Sequence, residues 1–355
     1  MKKLIAILSL ALSLCLLSGC MGTPVVYYCD CPTDSQVDNT PNTDNTDNTT
    51  ENLPEGALKT GLAVVANAKD STDGEAKYDV TLVAVLVDDN GVIRSCIIDS
   101  LGAKVGIDAA GAITSDVAAA PATKNELGDN YGMKAYGGAT YEWYEQAAAL
   151  ASFAVGKTVE ELKTGAIDET GKAPAGTDLA TSATIYLGGY VAGIEAAVAN
   201  AQDLGAQAGD ELKLAVISSL GSSKAAAGEE AGLAQLDCDV TALTVNGDTI
   251  TSCTIDSLQA KVNFDAAGTI TTDLSAPMLT KNQLGENYGM VAWAGAIAEW
   301  DEQAASFAEY VTGKTAAEVA GIAVNEKTAP AEADLASSVT IAIGGFQGLV
   351  AKAMQ

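Results

Sequence analysis

Two segments carry hydroxyl side chains in a pattern that could hold a covalent group. They are Asp178-Leu179-Ala180-Thr181-Ser182-Ala183-Thr184 and Asp334-Leu335-Ala336-Ser337-Ser338-Val339-Thr340. In each, an aspartate and two apolar spacers precede a hydroxyl cluster that ends in a threonine. A threonine hydroxyl with no base beside it is a weak nucleophile. On residue type alone, each segment reads equally well as a turn leading into a β-branched strand. The chain contains no histidine, which excludes Ser-His-Asp and Cys-His catalysis, His-ligated zinc and any imidazole proton shuttle. Difficult chemistry must therefore come from an organic cofactor or a partner. The formal charge is −27, from 19 Lys and Arg against 46 Asp and Glu. So acidic a surface repels phosphate backbones, and no nucleic-acid partner is expected.

Aromatic residues are scarce, at 5 % of the chain, yet Tyr131, Tyr136, Tyr141, Trp143 and Tyr144 fall within one short stretch. Tyr288, Trp293 and Trp300 repeat part of that cluster. Asn-Tyr-Gly-Met occurs twice, which makes Tyr131, Met133, Tyr288 and Met290 candidate walls for a planar ligand. Trp143 and Trp300 read equally as helix-packing core. Lys124 and Lys281 precede the repeated loop and read as surface lysines, with a role in softening a ligand's charge as the alternative. Cys96, Cys238 and Cys253 lie in strand-like runs and read as buried thiols. The cysteine spacing matches no zinc or iron–sulfur pattern, so no metal site is expected.

The elements that must position these residues are written twice. Residues 123–133, TKNELGDNYGM, return at 280–290 as TKNQLGENYGM, and Cys96-Ile97-Ile98-Asp99-Ser100 returns as Cys253-Thr254-Ile255-Asp256-Ser257. Glu142-Trp143 returns as Glu299-Trp300. Units this long are tandem domains rather than solenoid repeats: residues 57–204 and 209–355, joined through the small, polar segment from Gln202 to Asp210. Each unit starts with a strand, Leu62 to Ala66 or Leu214 to Ile217. A hairpin through Asn90-Gly91 or Asn246-Gly247 follows. A second hairpin is expected around each Asp-Ala-Ala-Gly turn. Helices are expected from Tyr141 to Val155, from Thr158 to Gly165 and from Tyr190 to Ala201, with a strand from Thr181 to Leu187. Strands first and helices later give an α+β fold, each unit an antiparallel sheet packed with helices.

The amino-terminal residues read as an address. Lys2 and Lys3 precede an apolar run from Leu4 to Leu17, too short to cross a bilayer and suited to a signal peptide over residues 1–19. Leu17-Ser18-Gly19-Cys20 resembles the lipobox of bacterial lipoproteins, which makes Cys20 the expected lipidation site. Residues 20–56 then form a tether rich in Asp, Asn and Thr that cannot bury a core and is expected to be disordered. Removal of the leader takes two lysines with it and leaves 17 basic residues against 46 acidic ones.

The two hydroxyl segments are similar to the flavinylation sequence of FMN-binding domains, Asp-x-x-Ser/Thr-Gly/Ser-Ala-Thr, found in flavin subunits of electron-transfer complexes. With its lipobox, acidic tether and two such units, the chain resembles the flavinylated lipoproteins of Gram-positive extracellular electron transfer. The KN-x-LG-x-NYGM and EW-x-EQ segments share that likeness, which spans most of the chain. The resemblance implies two FMN groups, each joined through its phosphate to a threonine, Thr184 and Thr340, by an ApbE-type flavin transferase. Asp178 and Asp334 would serve during attachment. Ser182 and Ser338 stand where glycine is commoner, and Val339 replaces alanine, which weakens the match at Thr340. The implied role is a lipid-anchored electron carrier on the extracellular face of the cytoplasmic membrane. It would relay electrons from a membrane quinol or an NADH dehydrogenase-linked donor to extracellular acceptors, rather than act as a self-contained enzyme. The alternatives are a non-redox surface lipoprotein, such as an adhesin or envelope protein, and a substrate-binding or sensor lipoprotein.

Overall fold

The computed structural model describes residues 56–355. The expected leader, the lipidated Cys20 and nearly all of the tether lie outside the described residues. Three long strands come first: β1 (Ala57–Asn67), β2 (Glu75–Val87) and β3 (Ile93–Gly106). They pair antiparallel in sequence order. The β2–β3 turn forms because Asp88 Oδ1 accepts the backbone N–H groups of Asn90 and Val92, both at 2.9 Å, while Gly91 takes a positive φ.

Helical segments follow: α1 (Lys124–Leu127), α2 (Met133–Gly137), α3 (Trp143–Ala154), α4 (Val159–Ala166), α5 (Asp178–Ser182) and α6 (Gly188–Ala199). The chain then enters β4 (Gln202–Gln207), β5 (Glu211–Ser219), β6 (Gly232–Asn246) and β7 (Thr249–Phe264). The last helices are α7 (Lys281–Leu284), α8 (Met290–Ala294), α9 (Trp300–Val311), α10 (Ala316–Ala320), α11 (Ala333–Ala336) and α12 (Gly344–Ala353). The first sheet has the order β3-β2-β1-β4 and the second β5-β6-β7. The architecture is α+β, with two antiparallel sheets packed with helices.

The two sheets lie face to face. One buried cluster takes Leu82, Ala84 and Leu101 from the first sheet together with Leu236, Val240 and Leu258 from the second. Tyr78 crosses this interface to donate to the Ala234 carbonyl at 2.8 Å, and Thr60 and Ser252 share a 2.6 Å hydroxyl contact. The opposite faces carry the helices. Val83, Val85 and Ile98 pack under α3 and α6, while Leu243, Ile250 and Ile255 pack under α9 and α12. A layered order of helix, sheet, sheet, helix results. It explains why residues 82–87 read as an unbroken apolar run, since both faces of β2 are buried.

Three local expectations differ from the structure. The segment from Gln202 to Asp210, expected to be a linker, contributes β4, which pairs with β1. Gly205 lies there at φ +104, and a Cβ on it would sit 2.7 Å from the Thr251 carbonyl of the second sheet. Close approach of the two sheets at that point thus depends on a glycine. The Asp-Ala-Ala-Gly turns form, but each closes a single bridge, Ile107 to Ile113 and Phe264 to Ile270, rather than a second hairpin of strands. The strand expected from Thr181 to Leu187 is absent. Thr177 caps α5 instead, and Thr181 and Ser182 turn their hydroxyls back onto the Asp178 carbonyl. Local hydrogen bonding of this kind outcompetes the β preference of the segment.

Candidate functional site

The repeated motifs bind one another. Asp99 Oδ1, from the Cys-x-Ile-Asp-Ser motif, accepts the Asn125 N–H at 3.1 Å, and Asn125 Nδ2 donates to the Ile98 carbonyl at 3.0 Å. Thr123 caps α1, with Glu126 closing the capping box. Asp256, Asn282, Thr280 and Gln283 do the same in the second half. Burial pushes the carboxyl groups of Asp99 and Asp256 up to about 6, against the pull of these donors. Lys124 and Lys281 sit between the two anchored residues of each motif, so their side chains leave a fixed backbone.

The Asn-Tyr-Gly-Met loop is held from below by Glu142. Its carboxylate accepts the N–H groups of Met133 and Lys134 at 2.7 and 2.9 Å. Glu299 receives Met290 and Val291 at 2.8 and 3.0 Å. Gly132 and Gly289 precede these donors at φ +82 and +83. A side chain there would meet the rings of Tyr136 and Trp293, which fold back over the glycines. Both rings are otherwise open to solvent.

Four residues beyond each of these glutamates stands a buried glutamine. Gln146 Oε1 accepts from Thr184 N at 2.8 Å, Ile185 N at 3.1 Å and the Thr184 hydroxyl at 3.2 Å, while its Nε2 donates to the Tyr141 carbonyl at 3.0 Å. Gln303 holds Thr340 N, Ile341 N and the Thr340 hydroxyl at 2.8, 3.2 and 3.1 Å. The glutamines are buried and the threonines exposed. Each hydroxyl therefore stands in solvent on a rigid loop, with its proton directed at an amide oxygen. An amide cannot act as a base at neutral pH, so the threonine is presented but not activated.

Beside Thr184 lies a cleft of about 450 Å³. Tyr131, Met133, Trp143, Tyr186, Tyr190 and Lys124 contribute to its wall, and Asp79 lies on it as well. Trp143 donates from Nε1 to the Tyr190 hydroxyl at 3.0 Å, and the two rings meet edge to face at 5.6 Å. In the second half, Lys281 and Tyr288 line a cleft of about 360 Å³ together with Lys261, Leu279 and Asn287. Met290 there packs against the helical core. Phe346 stands edge to face with Trp300 at 5.7 Å, where the first half has Tyr190.

Thus Tyr131 and Met133 share one cleft next to Thr184, and Tyr288 lines the other. Asp178 and Asp334 are exposed on the short helices before the threonines and do not line either cleft. Ser182 and Ser338 spend their hydroxyls on backbone carbonyls within those helices. Trp143 and Trp300 are core residues, and Trp143 also walls its cleft. Lys124 and Lys281, expected at the surface, are half-buried over aromatic rings. Cys96, Cys238 and Cys253 are free thiols, and burial pushes all three pKa values up. Residue type alone does not single out Gln146 and Gln303, although their in-register recurrence within EW-x-EQ is a signal the sequence offers. Among the described residues, no group of three or more acidic or cysteine side chains could hold a metal ion. No helix there is long and apolar enough to cross a membrane. No protein-family model, curated protein or solved structure matches this chain.

Proposed function

We propose that this chain is a covalent flavoprotein electron carrier built from two tandem homologous units, with FMN joined through its phosphate to Thr184 and to Thr340. The observation that carries this reading is the exposed threonine of each half, clamped at its backbone and hydroxyl by a buried glutamine. In the first half it adjoins a cleft walled by aromatic side chains. That cleft lies within the volume range of sites for small planar ligands. Tyr131, Tyr186 and Tyr190 offer aromatic surface, and Met133 offers a polarizable edge.

The isoalloxazine ring, when attached, supplies the redox chemistry. The chain's own residues do the holding. Gln146 and Gln303 fix the threonine Oγ1 at the rim and keep the hydroxyl proton pointed inward, leaving the oxygen open to solvent. Glu142 and Glu299 fix the neighbouring loop. Nothing described near either hydroxyl can remove its proton, which supports attachment by a separate flavin transferase of the ApbE type, with Asp178 and Asp334 exposed for that enzyme's use. Ester attachment would keep the group on a protein that works outside the cell, where a dissociable one is lost by dilution. In this reading Cys20 carries the lipid. Electrons pass from a membrane quinol or an NADH dehydrogenase-linked donor to extracellular acceptors.

The test is to express the chain with such a transferase, denature it and look for flavin fluorescence on the gel. Retained fluorescence, lost in the Thr184→Ala, Thr340→Ala double variant, is the expected result. Colourless protein, or fluorescence undiminished in the double variant, would refute the assignment.

A further inference from the structure

The attachment reading uses the threonines, the glutamines and the aromatic walls, and leaves two cations unexplained. Lys124 Nζ lies 4.9 Å from the Trp143 ring centroid and 5.3 Å from that of Tyr131. Lys281 Nζ lies 4.5 Å from Trp300 and 5.2 Å from Tyr288. Each lysine lines the cleft of its own half. Among the described residues, neither forms an ion pair with a carboxylate, whereas Lys59, Lys77, Lys104, Lys134, Lys163, Lys213 and Lys352 do. Holding a half-buried ammonium without a direct counter-ion costs desolvation free energy. That cost shows as a pKa pushed down by burial at both lysines, opposed by Asp79 and Asp99 around Lys124. Thr123 and Asn125, locked by the hydrogen bonds above, leave the lysine little choice of position. The same arrangement stands in both halves.

We propose that Lys124 and Lys281 are electrostatic positioning residues that stabilise the negative charge a bound flavin acquires on reduction, and so raise its potential. The inference rests on the proposed attachment of flavin at Thr184 and Thr340, and the first cleft, which adjoins Thr184, carries it furthest. A two-electron donor such as a quinol adds two electrons to the neutral ring, which also takes up one proton and is left with one net negative charge. The quinol loses both O–H protons as it becomes a quinone; one is the proton the ring takes up and the other passes to solvent. A cation in a half-enclosed cleft acts through a lower effective dielectric than water provides, so it favours the charged product over the neutral starting form. Asp79, on the wall of the first cleft, acts in the opposite sense.

The experiment isolates one flavin at a time. A Thr340→Ala chain co-expressed with a flavin transferase carries flavin at Thr184 alone, and spectroelectrochemical titration reads its midpoint potential. Lys124→Met keeps an aliphatic stem against Trp143 and removes the charge. The expected result is a fall on the order of tenfold in the reduction equilibrium constant, which is ~30 mV for a two-electron couple. Lys124→Arg should stay near the parent value, and Asp79→Asn should move the potential upward. Lys281→Met in a Thr184→Ala chain repeats the measurement in the second half. Unchanged potentials in loaded, folded Lys124→Met and Lys281→Met proteins overturn the proposal and leave the flavin reading standing. Failure of Lys124→Met to load, with native circular dichroism, also overturns it by moving the lysine's role to attachment. A parent chain that carries no flavin overturns both readings.

Discussion

Replacing Gln146 with alanine tests the clamp on which the attachment reading depends. The side chain is 1 % exposed and its amide oxygen accepts three hydrogen bonds at 2.8–3.2 Å, while its nitrogen donates one at 3.0 Å. A net hydrogen bond contributes ~1 kcal/mol. Thr184 is exposed, so water can replace part of what its N–H and hydroxyl lose. Ile185 N–H and the Tyr141 carbonyl are less well compensated, and a small cavity opens under the loop. The sum is roughly 2–4 kcal/mol, or a fall of ~3–6 °C in melting temperature for a body of this size. The same molecule carries its own reference, because Gln303 and Thr340 are untouched. Peptide mass spectrometry of flavin-loaded protein should show Thr184 under-modified relative to Thr340, and Gln303→Ala should reverse the pattern. Gln146→Glu keeps acceptors for the two backbone N–H groups but sets a carboxylate oxygen against the Tyr141 carbonyl, so it should fall between wild type and alanine. A Gln146→Ala protein that melts within ~2 °C of wild type and loads Thr184 as fully as Thr340 would show that the glutamine holds nothing of consequence.

Three further outcomes follow from the geometry. Asp99 and Asp256, raised to about 6 by burial, bind a proton more tightly folded than unfolded, where the value is ~3.9. Their contribution is therefore full below pH 4 and lost as pH rises through 6, on the order of 3 kcal/mol each. Urea titrations should show Asp99→Asn gaining on wild type by that order between pH 4 and 7, and a flat difference would contradict the burial argument. Tyr78→Phe removes a 2.8 Å bond to Ala234 across the buried sheet interface and should cost ~1 kcal/mol, the net worth of one hydrogen bond, because Ala234 stays paired with Val262 in the β6–β7 ladder. Because both sheets contribute to a single cluster, calorimetry of residues 56–355 should give one transition with equal calorimetric and van't Hoff enthalpies. Two separable transitions would contradict a shared core.

The parts of the fold legible in the sequence were those fixed by local chemistry. Asn90-Gly91 and Asn246-Gly247 marked their hairpins because Gly91 and Gly247 take the positive φ the turns require. Thr158 and Glu161 marked the start of α4 through a capping box. What stayed hidden depended on partners distant in the chain. The segment from Gln202 to Asp210 is small and polar, yet β1 supplies the hydrogen bonds that make part of it a strand. The apolar run at residues 82–87 is consistent with a β2 covered on both faces, but nothing local tells what covers it. In the site, Thr184 and Thr340 were singled out by type and repetition. A glutamine in an alanine-rich helix, by contrast, reads as a solvated residue until the loop it holds is known to pass beside it. Lys124 reads as a surface lysine for the same reason, since its burial comes from Trp143 and Tyr131 on later elements.

The two halves agree in their hydrogen-bonded frame and differ in the walls that frame supports. Clamp distances at Thr184 and Thr340 match to within about 0.1 Å, and so do those of Glu142 and Glu299. Yet Tyr190, bonded to the Trp143 indole, is replaced by Phe346, which offers Trp300 no acceptor. Tyr186, on the wall of the first cleft, is replaced by Ala342. Lys281 faces Asp239, Asp237 and Asp256 with Lys261 nearby, where Lys124 faces Asp79 and Asp99. Reduction creates charge, and its free energy depends on the polarity and fixed charges within a few ångströms. Two chemically identical flavins held on these frames should therefore titrate apart. Doubly loaded protein is expected to show two two-electron waves separated by at least ~30 mV, a tenfold difference in equilibrium constant. The single-site chains should assign one wave to each threonine. Coincident waves in both single-site chains would mean that neither the missing hydroxyl nor the altered charges reach the redox group, and that it lies outside the clefts described here.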